Sequence, residues 1–265
     1  MALDNILNIA ELSAGLNTEK IGKRIIHITE TDSTNTQALI LARGGAAEGT
    51  VVLAERQTAG RGRMNRTWHS PPGAGIYLSV ILTPRVSPNR LPGITLVAAV
   101  AGAESLKEST RVSVDIKWPN DLLLNGRKIC GILTELHARD DGSHVVIVGI
   151  GINVNTPRDM FPDDIANSAS SIMIETGREA SRKDIVSSLL GHFERWYRIY
   201  TDGGFEVILE RWKAYSGIIG RRIRVEQEGA HTEGTVLDID MSGALVIRDD
   251  AGFQHIIYSG DIVYL

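Results

Sequence analysis

Asn125-Gly126 stands between the apolar triplet Leu122-Leu123-Leu124 and the alternating run Arg127 to His137, and this dipeptide suits the left-handed backbone of a two-residue hairpin turn. Strands joined this tightly are antiparallel. After Asp140-Asp141-Gly142, a second turn signal, His144 to Asn153 supplies a longer and very apolar return strand, so residues 122–153 read as an antiparallel meander. Such a sheet must bury its apolar face against something. Helical periodicity at Leu91–Leu106, Ser181–Tyr200 and Gly204–Tyr215 predicts the cover. The first of these segments is alanine-rich and apolar, as a buried helix is, and Trp196, Tyr197 and Trp212 are packing residues of the other two.

Upstream, Leu3, Ile6, Leu7, Ile9, Ala10 and Leu12 recur at helical spacing, which predicts one short helix over residues 3–12, stopped by Gly15. Arg24 to Thr29 alternates as a strand. Thr31-Asp32-Ser33-Thr34-Asn35 then offers capping side chains to a helix over Thr36 to Ala42, and Val51–Ala54, Ile76–Leu82 and Val112–Lys117 are further strands. After Gly217 the pattern changes to short strands, Arg222–Gln227, Glu233–Ile239, Ala244–Asp249 and Gln254–Tyr258. Glu228-Gly229, Ser242-Gly243 and Ala251-Gly252 separate them. The expected division is a larger domain over residues 1–216 and a small β-domain of SH3 type over residues 217–265.

A net charge of −4 and a pI near 6.0 argue against a nucleic-acid binder that works through a broad basic face, so no DNA partner is expected. No window reaches the roughly 18 apolar residues a membrane span requires, and no secretory segment opens the chain; a cytoplasmic protein is expected. The lone Cys130 lies in an apolar run and reads as inert packing. The seven histidines are scattered without paired metal-ligand spacing, so no protein metal site is expected.

Chemistry is concentrated in Glu55-Arg56-Gln57-Thr58-Ala59-Gly60-Arg61-Gly62-Arg63-Met64-Asn65-Arg66-Thr67-Trp68, which hangs between two predicted core strands. Guanidinium forks match carboxylate and phosphate oxygens, and Gly60 and Gly62 allow positive φ and close backbone approach to the same anion. The three loop arginines lack a partner until that anion arrives, so the loop is expected to be mobile when empty. A dinucleotide fingerprint fails because Asn65 stands where its third glycine belongs, and no phosphate-loop motif ending in Gly-Lys-Ser/Thr exists. Lys117 ends an alternating strand, where an inward ammonium must be paired, and Trp118-Pro119 redirects the chain beyond it. Gly149 and Gly151 leave room for a ligand at the end of an apolar strand.

Taken in order, Ser33-Thr34-Asn35, the arginine loop, Lys117-Trp118-Pro119-Asn120-Asp121 and Gly149-Ile150-Gly151-Ile152-Asn153-Val154-Asn155 resemble the biotin protein ligase family, over residues 25–265. The resemblance implies an α+β fold: a mixed or antiparallel sheet flanked by helices, of class II synthetase type, followed by an SH3-like β-barrel. It implies ATP-dependent activation of biotin to biotinyl-5′-AMP with release of pyrophosphate, then transfer to a lysine of a biotin carboxyl carrier protein, with Mg²⁺ accompanying ATP. By position, Ser33, Thr34, Asn35 and Gln57 fall around the biotin ring, and Gly60, Arg61, Gly62 and Arg63 close over its carboxylate. Gly131 and Gly151 floor the pocket. Lys117 contacts the carboxylate and the adenylate ester and, with Arg63, is the expected catalytic residue. Arg63, Arg66, Trp68 and Asn153 fall on the adenylate side.

Ser33 and Thr34 suit a helix cap equally well. Asn120 and Asp121 are as readily turn residues and stay outside the catalytic set. Two other functions fit parts of the pattern: a lipoate–protein ligase of the same fold, and a biotin-responsive transcriptional regulator. The arginine loop followed by Trp68 favours biotin. The segment before residue 25 is too short for a winged helix-turn-helix, which disfavours the regulator. A homodimer is compatible with everything above.

Overall fold

The computed structural model describes residues 6–139, 143–227 and 229–265. Strands β1 (Ile25–Thr31), β2 (Val51–Gln57), β3 (Gly75–Leu82), β4 (Asp115–Lys117), β5 (Asp121–Leu124), β6 (Arg127–Ala138) and β7 (His144–Asn153) form one sheet in the order β1-β2-β3-β7-β6-β5-β4. The expected meander is its second half. Asn125 (φ 52°) and Gly126 (φ 78°) take the left-handed conformations that a two-residue hairpin needs. The Asp140–Gly142 turn signal lies outside the described residues. β1 and β2 pair in parallel, connected by helix α2 (Thr34–Arg43), so the sheet is mixed.

Strand β7 explains why its sequence is apolar without a break: it is covered on both sides. Val146, Val148, Ile150 and Ile152 join the main core beneath helices α3 (Gly93–Thr110), α5 (Arg182–Thr201) and α6 (Phe205–Tyr215). Val145 and Ile147 point the other way, into a smaller cluster with Ala38 and Ala42 of α2. The same alternation places Gly149, Gly151 and Asn153 on the α2 side, where the cavity described below opens.

Helix α1 (Ile9–Gly15) begins later than its apolar spacing predicts, because the Asn8 side chain accepts the amides of Ala10 and Glu11 and sets the start there; residues 1–5 lie outside the described residues. A short helix α4 (Ile172–Thr176), capped by Ser171 and ended by left-handed Gly177, carries no periodicity long enough to be read from sequence. Beyond α6, β8 (Arg222–Gln227), β9 (Ala230–Ile239), β10 (Leu245–Arg248), β11 (Gln254–Ile257) and β12 (Asp261–Tyr264) form an antiparallel SH3-like sheet in the order β11-β10-β9-β8-β12. Its ladder is open between β11 and β12, so the expected barrel does not close. The sequence reading missed β12, a four-residue strand after Gly260 that pairs with β8. Trp118 Nε1 donates to Gly243 O (3.0 Å) and Lys213 Nζ pairs with Asp238 (2.7 Å), seating this sheet against the rest. Among the described residues no helix is long and apolar enough to cross a membrane.

Candidate active site

A cavity of about 390 Å³ opens on the α2 face of the large sheet, beyond the end of that helix. Its floor follows from strand register. Gly131 of β6 pairs with Gly151 of β7, so two neighbouring strands present bare backbone on the same face. Trp68 lies on this floor: a Cβ on Gly151 would come 2.4 Å from its Nε1, and one on Gly131 would come 2.8 Å from its ring. Gly149 is filled from the other side by Asn35, whose Oδ1 would be 2.2 Å from a Cβ there. The structure brings together every residue expected from sequence except Gly60: Ser33, Thr34, Asn35, Gln57, Arg61, Gly62, Arg63, Arg66, Trp68, Lys117, Gly131, Gly151 and Asn153 all line the cavity. Gly60 sits just behind it, where a Cβ would meet Trp68 O at 2.5 Å.

The arginine loop is a small hairpin. Arg61 bridges Thr67, Gly62 N donates to Arg66 O (2.6 Å), and Trp68 N donates to Gly60 O (2.8 Å). Positive φ falls on Met64 (53°) and Asn65 (57°) at its tip, correcting the expectation for Gly60 and Gly62. Gly60 is there for close packing, whereas a Cβ on Gly62 would come no nearer than 3.4 Å to any neighbour. Nor are the arginines without partners. Arg61 Nη2 lies 3.1 Å from Glu135 Oε2, Arg63 Nη1 donates to Asn120 Oδ1 (3.2 Å), and Arg66 pairs with Asp261 of β12. Burial pushes the Arg63 guanidinium below its ordinary value against the opposing charges of Asp261 and Asp121, with Arg66 acting in the same direction as burial. The loop exit is held as firmly. Arg182, the buried first residue of α5, donates to the carbonyls of Gly75 (2.8 Å) and Gly73 (3.2 Å) and pairs with buried Glu55 (2.5 Å).

At the N-terminus of α2, Ser33 makes no capping bond; Asp32 accepts the Ser33 amide (2.6 Å) and Gln57 Oε1 accepts that of Thr34 (2.8 Å). Gln57 also donates to Ser70 (2.9 Å), so the residue expected at the ligand ties α2 to the loop exit.

Two groups escaped the sequence reading. Lys128 of β6 lines the cavity, with Nζ 2.8 Å from Asp121 Oδ1 and 5.5 Å from the centroid of the Trp68 ring. Its position, second after Asn125-Gly126, was the available signal: alternation from Gly131 does not put it on the floor, but a register shift in the β5–β6 pairing, between Lys128 and Cys130, brings it to the cavity. Asp261 also lines the cavity from the second sheet. The segment Phe161 to Ala169 covers one side, held by Lys128 N donating to Ser168 O (2.9 Å). Cys130, fully buried, has its thiol pushed up by burial and takes no part.

Among the described residues no three His, Cys, Asp or Glu side chains gather as metal ligands. Asp121 and Asp261 are each engaged by a cation.

Residues 28–153 match the Biotin/lipoate A/B protein ligase family, and residues 218–264 match the Biotin protein ligase C terminal domain. The chain is 41% identical over 256 residues to the bifunctional ligase/repressor BirA of Bacillus spizizenii, covering 97% of this chain and 78% of that protein. It is 36% identical over 232 residues to the biotin–acetyl-CoA-carboxylase ligase of Paracoccus denitrificans, covering 86% and 95%. The structure of biotin protein ligase from Aquifex aeolicus in complex with biotin and ATP aligns with a TM-score of 0.79 at 29% identity, over 92% of this chain and 99% of that one. Fold and matches define a ligase with a mixed-sheet catalytic body and an SH3-like C-terminal sheet. The chain belongs to the biotin protein ligase family.

Proposed function

We propose that the cavity activates biotin with ATP and then passes it to a lysine of a biotin carboxyl carrier protein. A carboxylate oxygen of biotin attacks the α-phosphorus, the bond to the leaving oxygen breaks, and pyrophosphate departs. The uncharged ε-amine of the acceptor lysine then attacks the carboxyl carbon, AMP leaves, and the amine sheds a proton as the amide forms. The observation that carries this reading is the convergence of Arg61, Arg63, Arg66, Lys117 and Lys128 on one glycine-floored slot. A carboxylate and a triphosphate repel each other, and preplaced cations offset that repulsion without reorganising. Ser33, Thr34 and Asn35 fall to the ring end, Arg61 and Arg63 to the carboxylate, and Arg66, Trp68 and Asn153 to the adenylate.

The scarcity of free carboxylates fits Mg²⁺ arriving on the nucleotide phosphates, as part of the substrate. We take residues 1–216 as the catalytic unit and 217–265 as a second domain that lends Asp261 to it. The cytoplasm, where ATP and carboxylases meet, is the proposed location, and DNA is not a proposed partner. The test is biotin-dependent exchange of labelled pyrophosphate into ATP, followed by transfer to a carrier domain. Exchange that lipoate supports as well as biotin would reassign the substrate.

A further inference from the structure

Glu135 is absent from every assignment above, yet its Oε2 joins the two ends of the biotin site. It stands on β6 two residues beyond Leu133 and four beyond Gly131, both of which line the cavity, so strand alternation aims it at the same face. One oxygen serves two donors: Asn35 Nδ2 lies 2.6 Å from Glu135 Oε2, and Arg61 Nη2 lies 3.1 Å from the same atom. Asn35 is almost fully buried at 4% exposure, with Nδ2 also directed at Leu133 O (3.4 Å).

A carboxylate only accepts hydrogen bonds, so it dictates which way this amide faces. Reversed, Asn35 would set its own carbonyl against Glu135 Oε2, two acceptors at hydrogen-bond distance in a buried site. With Nδ2 held on Glu135, Oδ1 turns to the cavity floor over Gly149. There it accepts from Ser79 Oγ (2.6 Å), and one lone pair is left over. The ring end of the site therefore offers an acceptor, which suits a ring carrying N–H donors and gives nothing to a sulfur ring that lacks them.

We infer that Glu135 is a positioning residue that sets ring specificity: it locks the Asn35 amide with its acceptor toward the ureido N–H of biotin, and through Arg61 it fastens the loop to the same carboxylate. This rests on the proposal that Asn35 lies at the biotin ring. Glu135→Gln is the informative change, because glutamine keeps the size but both donates and accepts, so the Asn35 amide is no longer held one way.

Pyrophosphate exchange is measured with biotin and with the thiolane pentanoic acid that has the same chain and sulfur ring but no ureido group. For Glu135→Gln the expected result is a rise in biotin KM of about 10-fold, the worth of one charge-assisted bond in a closed site, with kcat within about 3-fold of the parent. The preference for biotin over the thiolane acid should narrow by the same factor. A biotin KM and a preference that both stay at the parent values would overturn the inference. An equal KM rise for both acids, reproduced by Arg61→Ala, would overturn it too, leaving Glu135 a loop tether. No biotin-dependent exchange in the parent would remove the proposed function itself, a result separable from either of those.

Discussion

Gly151→Ala tests the floor of the cavity in a way that separates packing from folding. Gly151 lies in β7 without a positive φ, so alanine is conformationally acceptable there, and a change in activity cannot be laid to backbone strain. The added methyl would lie 2.4 Å from Trp68 Nε1 and 2.5 Å from Cε2. Ordinary carbon contacts are about 3.5–4.0 Å, so the indole must retreat by roughly 1 Å or more. It cannot slide across the floor, because Gly131 already holds the other end of the ring. It must lift into the cavity. Overpacking of this size costs about 1–3 kcal/mol. Trp68 sits on a half-exposed loop that can yield, so the melting temperature should fall by only about 2–4 °C. The cost returns on binding, since either the lifted ring or the methyl itself takes the space of a ligand. That converts to about 5- to 150-fold weaker binding. Titration calorimetry with biotin, and with ATP after biotin, measures it. Parent-like affinity for both ligands would refute the placement of the floor.

Three further outcomes are expected. Lys128→Ala should slow adenylation in single-turnover assays by about 10²-fold, since its ammonium lines the cavity over Trp68; a rate within about 3-fold of the parent would remove Lys128 from the site. Asp261→Asn should release Arg66 and raise ATP affinity by up to about 5-fold, an exposed pair being worth at most about 1 kcal/mol; the gain should vanish in an Arg66→Ala background, and weaker ATP binding would contradict it. In the helical layer, His192 lies between Glu104 (3.1 Å) and Glu108 (2.7 Å), and its hydrogen bond to Glu104, opposed by burial and helped by Glu108, raises its pKa. Burial pushes Glu104 up, but bonds from His192, Trp196 and Arg211 outweigh it and hold the carboxyl at about 2. The His192 contribution is therefore complete below its unfolded value of about 6.5 and fades as pH rises through the folded value, whereas that of Glu104 is complete above about 4.5 and fades toward pH 2. Melting curves of His192→Gln against the parent should differ more at about pH 6 than at about pH 9; a constant difference would sink this account.

The strands nearest the cavity were the most legible part of the chain. Asn125-Gly126 and the unbroken apolar run His144 to Asn153 allow few other structures, and Gly151 announced a floor because a bare backbone in a strand has few uses. Short elements escaped. β12 has four residues and α4 five, too few to show a period, and each is held by partners distant in sequence: β8 in one case, Asn125, Arg127 and Val154 in the other. The site was read in its arginines and Lys117, and missed in Lys128 and in its carboxylates. Arginines and lysines beside glycines are conspicuous in a sequence, whereas Glu135 and Asp261 look like any solvated carboxylate of a strand, and only the fold reveals what they face. Gln57 lines the cavity and also accepts the Thr34 amide at the start of α2, a second role whose sequence signature is the same as that of an amide facing a ligand.

Those acceptors alter how the loop must work. Each loop arginine is parked on a protein oxygen from a different element: Arg61 on Glu135 of β6, Arg63 on Asn120 after β4, Arg66 on Asp261 of β12. Like charges crowded between Arg61 and Arg66 repel one another, and three dispersed acceptors offset that repulsion. On the proposed function, the substrates enter by exchange. A carboxylate or phosphate oxygen replaces a protein oxygen on the same guanidinium, so the net gain per contact is the difference between two anions and far smaller than the bare Coulomb attraction. Such a site gives up affinity for its substrates. Because Asp261 comes from the second sheet, Arg66 can leave its parked position only at the expense of a contact between the two sheets; on the proposed assignment of Arg66 to the adenylate, nucleotide affinity is therefore expected to change when the C-terminal sheet is reseated.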